Sequence, residues 1–231
     1  MGKSYKMKYL VFDSGPLINF SMNGILDSLE KLKDNFDGEF LITKEVKEEI
    51  IDTPLKIKQF ELGAIRLEEI YKKGIIKLAD LTKEDVDELR KLRENYMETA
   101  NNMFKAKNKE IHLLDKGECA ALALSTIMKK KIGRDIPIVI DERTTRMICE
   151  KPENLKILME KKLHTKIKAN TNNYNLFKGF KIIRSTELAY IINKKNLFTL
   201  KNPKLYEAVI YGLKFKGCSI SEKEVELLSK M

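Results

Sequence analysis

The apolar positions of the chain form short runs separated by stretches of helical spacing. Residues 8–12 (Lys-Tyr-Leu-Val-Phe) end in Asp13 and are followed by Gly15-Pro16, the pattern of a buried strand running into a turn. Ile25, Leu26, Leu29, Leu32 and Phe36 recur at helical spacing over 24–36, and Asp37-Gly38 stops them. Residues 39–42 predict a second strand. Thr43 is a good N-cap for a helix over 44–51, which Pro54 closes. An amphipathic helix is expected over 55–72 and an edge strand over 75–78. Thr82, with Asp85 three residues on, opens a long polar helix that the pattern carries to about residue 107. Asp115 caps a helix whose stretch Cys119-Ala-Ala-Leu-Ala-Leu124 is almost wholly apolar. Pro137-Ile-Val-Ile140 reads as a buried strand ending at Asp141, with a short helix over 142–150. Residues 181–184 form a last strand, with helices around 186–195, 203–213 and 221–229. Residues 151–178 read as an irregular basic insertion.

Strands alternating with helices predict an α/β fold, a parallel sheet with helices on both faces. No repeat, low-complexity tract or dividing linker stands out. The expectation is one domain over 1–231 with insertions at about 80–110 and 151–178.

Composition narrows the function. The chain has 231 residues, 43% hydrophobic and 34% charged, which is globular and long enough to fold without staples. Its three cysteines, Cys119, Cys149 and Cys218, are odd in number and irregularly spaced, which excludes a disulfide framework and fits a reducing cytoplasm. Cys119 lies in the apolar helix stripe and is expected in the core rather than as a nucleophile. His112 and His164 are far apart and no CxxC pair exists, which argues against a zinc site; both histidines read as structural or surface residues. No apolar run approaches the ~18 residues of a membrane span. Tyr9-Leu-Val-Phe12, cut short by Asp13, is too short for a signal peptide.

The charge is uneven. Residues 1–150 are balanced, with 27 Lys/Arg against 27 Asp/Glu, while 151–216 carry 15 Lys/Arg against 4 Asp/Glu. One reading is a solvated lysine surface; the other is a phosphate-binding face. Lys161, Lys162, Lys166 and Lys168 lie in this stretch, and Tyr174, Phe177 and Phe180 would supply rings to stack on unpaired bases.

The acids carry the candidate chemistry. Asp13 and Asp141 each end a short apolar strand, and in a parallel sheet all strand C-termini share one edge, where ligands bind. Two such carboxylates repel unless one is protonated or a cation lies between them. Glu49, on the helix after the second strand, and Glu118, in the first turn of the Asp115-capped helix, reach the same edge. Their oxygens are expected to converge on one pocket able to hold an ion at ~2.0–2.6 Å. An acid set without His or Cys suits Mg²⁺ or Mn²⁺, which hold phosphate oxygens and activate water. Each acid also has a plainer reading. Asp13 would cap a helix opening at Pro16; Asp115 and Glu118 would be a cap and a first-turn acid; Asp141-Glu142 would start a helix. Glu49 stands beside Glu45 and Glu48, which compete for its role.

These residues resemble the motifs of the PIN-domain family, in particular a prokaryotic and archaeal, toxin-like ribonuclease subgroup. Tyr9-Leu-Val-Phe-Asp13-Ser-Gly-Pro-Leu-Ile18 resembles its opening strand, Thr43-Lys-Glu-Val-Lys-Glu-Glu49-Ile its second motif, Leu114-Asp-Lys-Gly-Glu118-Cys-Ala-Ala-Leu-Ala its third, and Ile138-Val-Ile-Asp141-Glu-Arg-Thr-Thr-Arg146 its fourth. Gly179-Phe-Lys-Ile-Ile-Arg-Ser-Thr-Glu-Leu-Ala resembles its closing strand and helix. The resemblance runs from about residue 8 to 228. It implies a three-layer α/β/α sandwich around a five-stranded parallel sheet and a Mg²⁺- or Mn²⁺-dependent endoribonuclease. Asp13, Glu49, Glu118 and Asp141 would hold the metal and carry the catalysis. Ser14, Asp115 and Glu142 are second choices for orienting or outer roles. Arg143, Arg146 and the four lysines would bind RNA, single-stranded or structured. An antitoxin protein and a second copy of the chain are the partners implied. The chain is longer than the small toxins of that family, which suits an added substrate-gripping surface. An RNA-binding module without cleavage, and a toxin of a toxin-antitoxin pair, stand as alternatives.

Overall fold

The computed structural model describes residues 8–229. The strand β1 (Lys8–Phe12) leads into helix α1 (Ser14–Met22), which is followed by α2 (Leu26–Asp34) and β2 (Gly38–Ile42). Next come α3 (Lys44–Lys47), a π turn over Glu48–Asp52, α4 (Glu61–Lys72) and β3 (Ile76–Leu78). Helix α5 (Lys83–Asn101) precedes a hairpin of β4 (Phe104–Ala106) and β5 (Lys109–Glu110). The chain continues through α6 (Lys116–Ile132), β6 (Ile138–Val139), α7 (Arg143–Glu150), α8 (Pro152–Leu163) and β7 (Ile167–Ala169). It closes with a 3₁₀ segment over Thr171–Phe177, β8 (Ile182–Ile183), α9 (Ser185–Lys194), α10 (Leu205–Phe215) and α11 (Glu222–Ser229).

The main sheet has five parallel strands in the order β3-β2-β1-β6-β8. Successive side chains of a strand point to opposite faces, and here both faces are apolar. Leu10, Phe12, Phe40, Ile42 and Val139 enter a core with α1, α2, α4, α9 and α10. Val11, Leu41, Ile138 and Ile140 enter a second core with α5, α6, α7 and α8. Two cores either side of one sheet make the three layers of an α/β/α sandwich, as expected.

The strand order reverses beside β1. The chain steps outward from β1 to β2 and β3, then returns through α6 to place β6 on the other side of β1. The strand ends flanking such a reversal open a crevice where α/β folds bind ligands. Those ends are Asp13 and Asp141, so the two aspartates share one edge.

Several local expectations are corrected. The first helix opens at Ser14 rather than Pro16, and the helix expected over 55–72 is regular only from Glu61, after a tight turn at Pro54–Lys56. The helix after Thr43 keeps its cap, Thr43 Oγ1 accepting from the Val46 amide at 3.2 Å, but passes into the π turn after one α-helical turn. Helix α5 stops at Asn101 instead of continuing to about 107. At that last residue the Asn101 side chain accepts from the Leu113 and Leu114 amides at 2.6 and 3.1 Å, which ties the helix end to the segment after the hairpin. Beyond it, Lys107 and Asn108 take positive φ values of 49° and 65°, the conformation of a tight two-residue hairpin turn.

The stretch 151–178 is not irregular. It contains α8, β7 and the 3₁₀ segment, and β7 pairs antiparallel with β4. The two insertions therefore meet in a second sheet of order β5-β4-β7. Its inner face seats Phe104 and Ile167 on the second core. Tyr174 and Phe177 are buried there at 6% and 0% exposure, so they do not offer rings to a base. Tyr174 meets Phe104 edge-on, and Tyr96 contacts both Phe177 and the half-buried Phe180. Among the described residues no helix is long and apolar enough to cross a membrane.

Candidate active site

A cavity of about 340 Å³ opens at the reversal edge. It is lined by Asp13, Ser14, Glu49, Asp115, Glu118, Asp141 and Glu142, together with Asn19, Gly117, Lys216 and Gly217. All four primary carboxylates and all three second choices of the sequence reading thus border one space.

Asp13, Glu49, Glu118 and Asp141 are each delivered by a different element. The Asp13 amide donates to Val139 O at 3.0 Å, which pins the end of β1 to β6. Asp13 is 4% and Asp141 3% exposed. Both oxygens of Asp141 are occupied: Oδ1 accepts from the Ser185 amide at 2.7 Å and Oδ2 from Asn19 Nδ2 at 2.6 Å. Glu118 is held by its own helix start, Oε2 accepting from the Asp115 amide at 2.7 Å and Oε1 from Thr145 Oγ1 at 3.1 Å. Cys119, Leu122 and Ile127 pack inward, which turns Glu118 toward the strand ends. Glu142 caps α7, accepting from the Thr145 amide at 2.7 Å. Asp115 is exposed, with Oδ1 2.7 Å from His112 Nε2.

Glu49 separates from its rivals. Glu45 is ion-paired with Arg93, and Glu48 lies outside the cavity lining, whereas Glu49 reaches it from the π turn. Gly117 leaves it room. A Cβ on Gly117 would stand 3.0 Å from Glu49 Oε2 and 3.9 Å from Asp13 Oδ1. A side chain at 117 would thus crowd Glu49 and approach Asp13.

Packing acids together in a dry edge has an electrostatic cost. Burial pushes Asp13 up to about 7, Glu49 and Asp141 adding to the shift and the Ser14 and Gly15 amides opposing it. Burial likewise pushes Glu118 up to about 8, the Asp115 amide opposing and the Asp13 and Glu142 carboxylates adding. Asp13 Oδ1 is buried without a hydrogen-bond partner among the described residues.

The expected convergence of four carboxylates on one ion is not seen. Among the described residues no three His, Cys, Asp or Glu side chains are grouped closely enough to hold a metal ion. Glu118 and Asp141 are held instead by amides, a hydroxyl and Asn19. The features that fit a cation are narrower: the unpartnered Asp13 Oδ1, the room left by Gly117, and an all-oxygen donor set of the kind hard cations take.

Arg143 and Arg146 fall outside the cavity lining; Arg143 is exposed and the Arg146 Nε is buried without a hydrogen-bond partner among the described residues. Lys161, Lys162, Lys166 and Lys168 are all exposed on or beside the second sheet. Cys119 is in the core, its thiol pushed up to about 12 by burial. Sequence reading missed Asn19, Thr145, the Ser185 amide and Lys216. Asn19 left one signal, a lone amide in the apolar run Leu17-Ile-Asn-Phe20; the others depend on tertiary approach. Comparison with protein-family models, curated proteins and solved structures gives no match.

Proposed function

We propose that the chain is a Mg²⁺- or Mn²⁺-dependent endoribonuclease of the PIN type. The observation that carries this reading is Asp13 Oδ1, buried beside Glu49 at the reversal edge with no hydrogen-bond partner among the described residues. A buried carboxylate oxygen without a donor is costly, and a divalent cation is the group that would satisfy it. Asp13 and Glu49 would hold the ion directly. Asp141 and Glu118 would join through the outer hydration or by releasing a protein donor. When bound, the ion supplies charge stabilisation for a phosphodiester and a means of activating water at neutral pH. The protein supplies orientation: Asn19 and the Ser185 amide fix Asp141, and Thr145 fixes Glu118.

The second sheet supplies the grip. Lys105 of β4 stands directly opposite Lys168 of β7, and both line a hollow of about 480 Å³ with Asn102 and Asn170. Like charges directly across a sheet repel, and a phosphate between them would relieve that. Lys107, Lys109, Lys161, Lys162 and Lys166 are exposed nearby in the chain.

A binding module that does not cut is the second reading, favoured by the full engagement of Glu118 and Asp141 with protein donors. Titration of Mn²⁺ followed by melting, together with digestion of a mixed RNA pool with and without Mn²⁺, separates the two. A nuclease melts higher with Mn²⁺ and shortens the RNA. RNA bound at unchanged length, with no Mn²⁺ effect on melting, establishes the module instead.

A further inference from the structure

The C-terminal end of α10 carries an aromatic pair that the core does not use. Tyr211 and Phe215 are one helical turn apart, with ring centroids at 6.0 Å and an interplanar angle of 22°, an offset stack. The stack is braced by its neighbours. The Tyr211 hydroxyl donates to Glu222 Oε1 at 3.3 Å, Lys214 pairs with the same glutamate, and the Lys214 ammonium lies 5.8 and 5.9 Å from the two ring centroids. Phe215 itself is 77% exposed.

The position of this pair connects it to the acids. The next residue, Lys216, lines the carboxylate cavity and is the one cation among its lining residues. It forms no ion pair with any described residue, although five carboxylates besides Glu49 border the same space. Gly217 then takes a φ of +114°, open to glycine but strained for other residues, and turns the chain back. Two residues on, the Ser219 amide donates to Asp141 O at 3.1 Å, which anchors the turn to the end of β6. An exposed ring, an unpaired cation and a strand-end carboxylate thus follow one another along a pinned segment.

We infer that Phe215, backed by Tyr211, is a stacking platform for a base of an unpaired strand, and that Lys216 holds the phosphate beside it at the mouth of the carboxylate cavity. This rests on the nuclease reading and specifies its substrate as single-stranded. A nucleotide is favoured over an apolar partner because Lys216, which follows Phe215 in the chain, has no ion pair with any described residue, while Lys214 and Glu222 satisfy each other. Every base offers a π-face, so the platform grips without reading sequence, and a base locked in a duplex stack is withheld from it.

The test measures binding of the full chain in EDTA, where no metal-dependent cutting interferes. The probes are an unpaired oligoribonucleotide containing 2-aminopurine and a duplex of the same length. Phe215→Ala is expected to weaken the unpaired probe about tenfold and abolish 2-aminopurine quenching, with duplex binding and melting temperature unchanged. Phe215→Trp should restore both signals. Lys216→Ala should weaken binding and lower its salt slope by about 0.7. Equal affinity of Phe215→Ala and wild type for the unpaired probe overturns the platform. If that wild type still cuts RNA with Mn²⁺, the nuclease reading survives; if it neither binds nor cuts, both fall. A change of oligomeric state in Phe215→Ala, seen by light scattering, would make the ring a protein contact and overturn the inference.

Discussion

The reversal edge of the main sheet and the outer face of the second sheet handle charge in opposite ways. At the reversal edge, Asp13 and Asp141 are almost fully buried, and the first is pushed toward neutrality by its surroundings. On the second sheet, Lys105 and Lys168 face each other in water at directly opposed positions. Like charges cost far more where water is excluded than where it screens them. The buried acids must therefore be satisfied at defined atoms, by Asn19, the Ser185 amide, Thr145 or a cation. The exposed lysines need no buried partner: Lys105 has only the exposed Glu110 at 3.2 Å, and such a screened pair leaves room for a mobile polyanion. A site that holds an ion and a surface that holds a polyanion loosely are what these two environments suit.

The comparison breaks most sharply at Asp13. Asp13→Asn keeps the shape and removes the charge, so Mn²⁺-dependent cleavage should fall by more than the ~10–100-fold that outer partners of a metal typically contribute. Activity equal to wild type under matched Mn²⁺ would show that Asp13 is not part of the site.

The same substitution has a stability consequence of known sign. The folded pKa of Asp13 is about 7 against an ordinary value of 3.8, so folding is favoured by its protonated form. That contribution is complete below pH ~4 and is lost as pH rises through ~7. In EDTA, Asp13→Asn should therefore be more stable than wild type at pH 8, by an order of ~2–4 kcal/mol. The difference should shrink toward pH 4. Denaturant melts at several pH values check this; a pH-independent difference would place the group in a wetter setting. Added Mn²⁺ should narrow the gap at pH 8 by stabilising the ionised wild type.

The lysine surface should respond through salt. Replacing Lys161, Lys162, Lys166 and Lys168 with Ala should weaken RNA binding and flatten its salt dependence, by at most about 0.7 per lost phosphate contact. Mn²⁺ affinity should hardly change. Dissociation constants at several salt concentrations decide; unchanged affinity and slope would leave these lysines as solvation.

The smallest effect concerns the cross-strand pair. Lys105→Ala relieves the repulsion from Lys168 but gives up the ion pair with Glu110 at 3.2 Å. Relief should prevail slightly, stabilising the protein by ~0.2–0.5 kcal/mol at low salt and by nothing at high salt, while RNA affinity falls. A loss of stability independent of salt would show that Lys105 acts through packing.

Much of the edge was legible in the chain. Asp13 and Asp141 were found because an apolar strand that stops at an acid is a local pattern, and the alternation of strands and helices sets them on one edge. The choice of Glu49 over Glu45 and Glu48 has only the apolar pair Ile50-Ile51 behind it in sequence; what engages Glu45 is Arg93, 48 residues away along the chain. The aromatics were misplaced for a similar reason. Tyr174 and Phe177 sit in a lysine-rich stretch that looks solvent-facing, yet pairing of β7 with β4 folds them inward.

The sequence by itself determined what depends on near neighbours: the strands and most helices, their caps at Thr43 and Asp115, the three-layer α/β class and the strand-end aspartates. Tertiary structure alone decided what depends on residues distant in the chain. It joined the two insertions into one sheet, occupied both oxygens of Asp141 with Asn19 and Ser185, and brought Lys216 to the acid cavity. Periodicity records which face of an element is dry, because burial repeats with the turn of the helix or the pleat of the strand. It does not record which other element arrives at that face, and hydrogen bonds and charge pairs are set by that arrival.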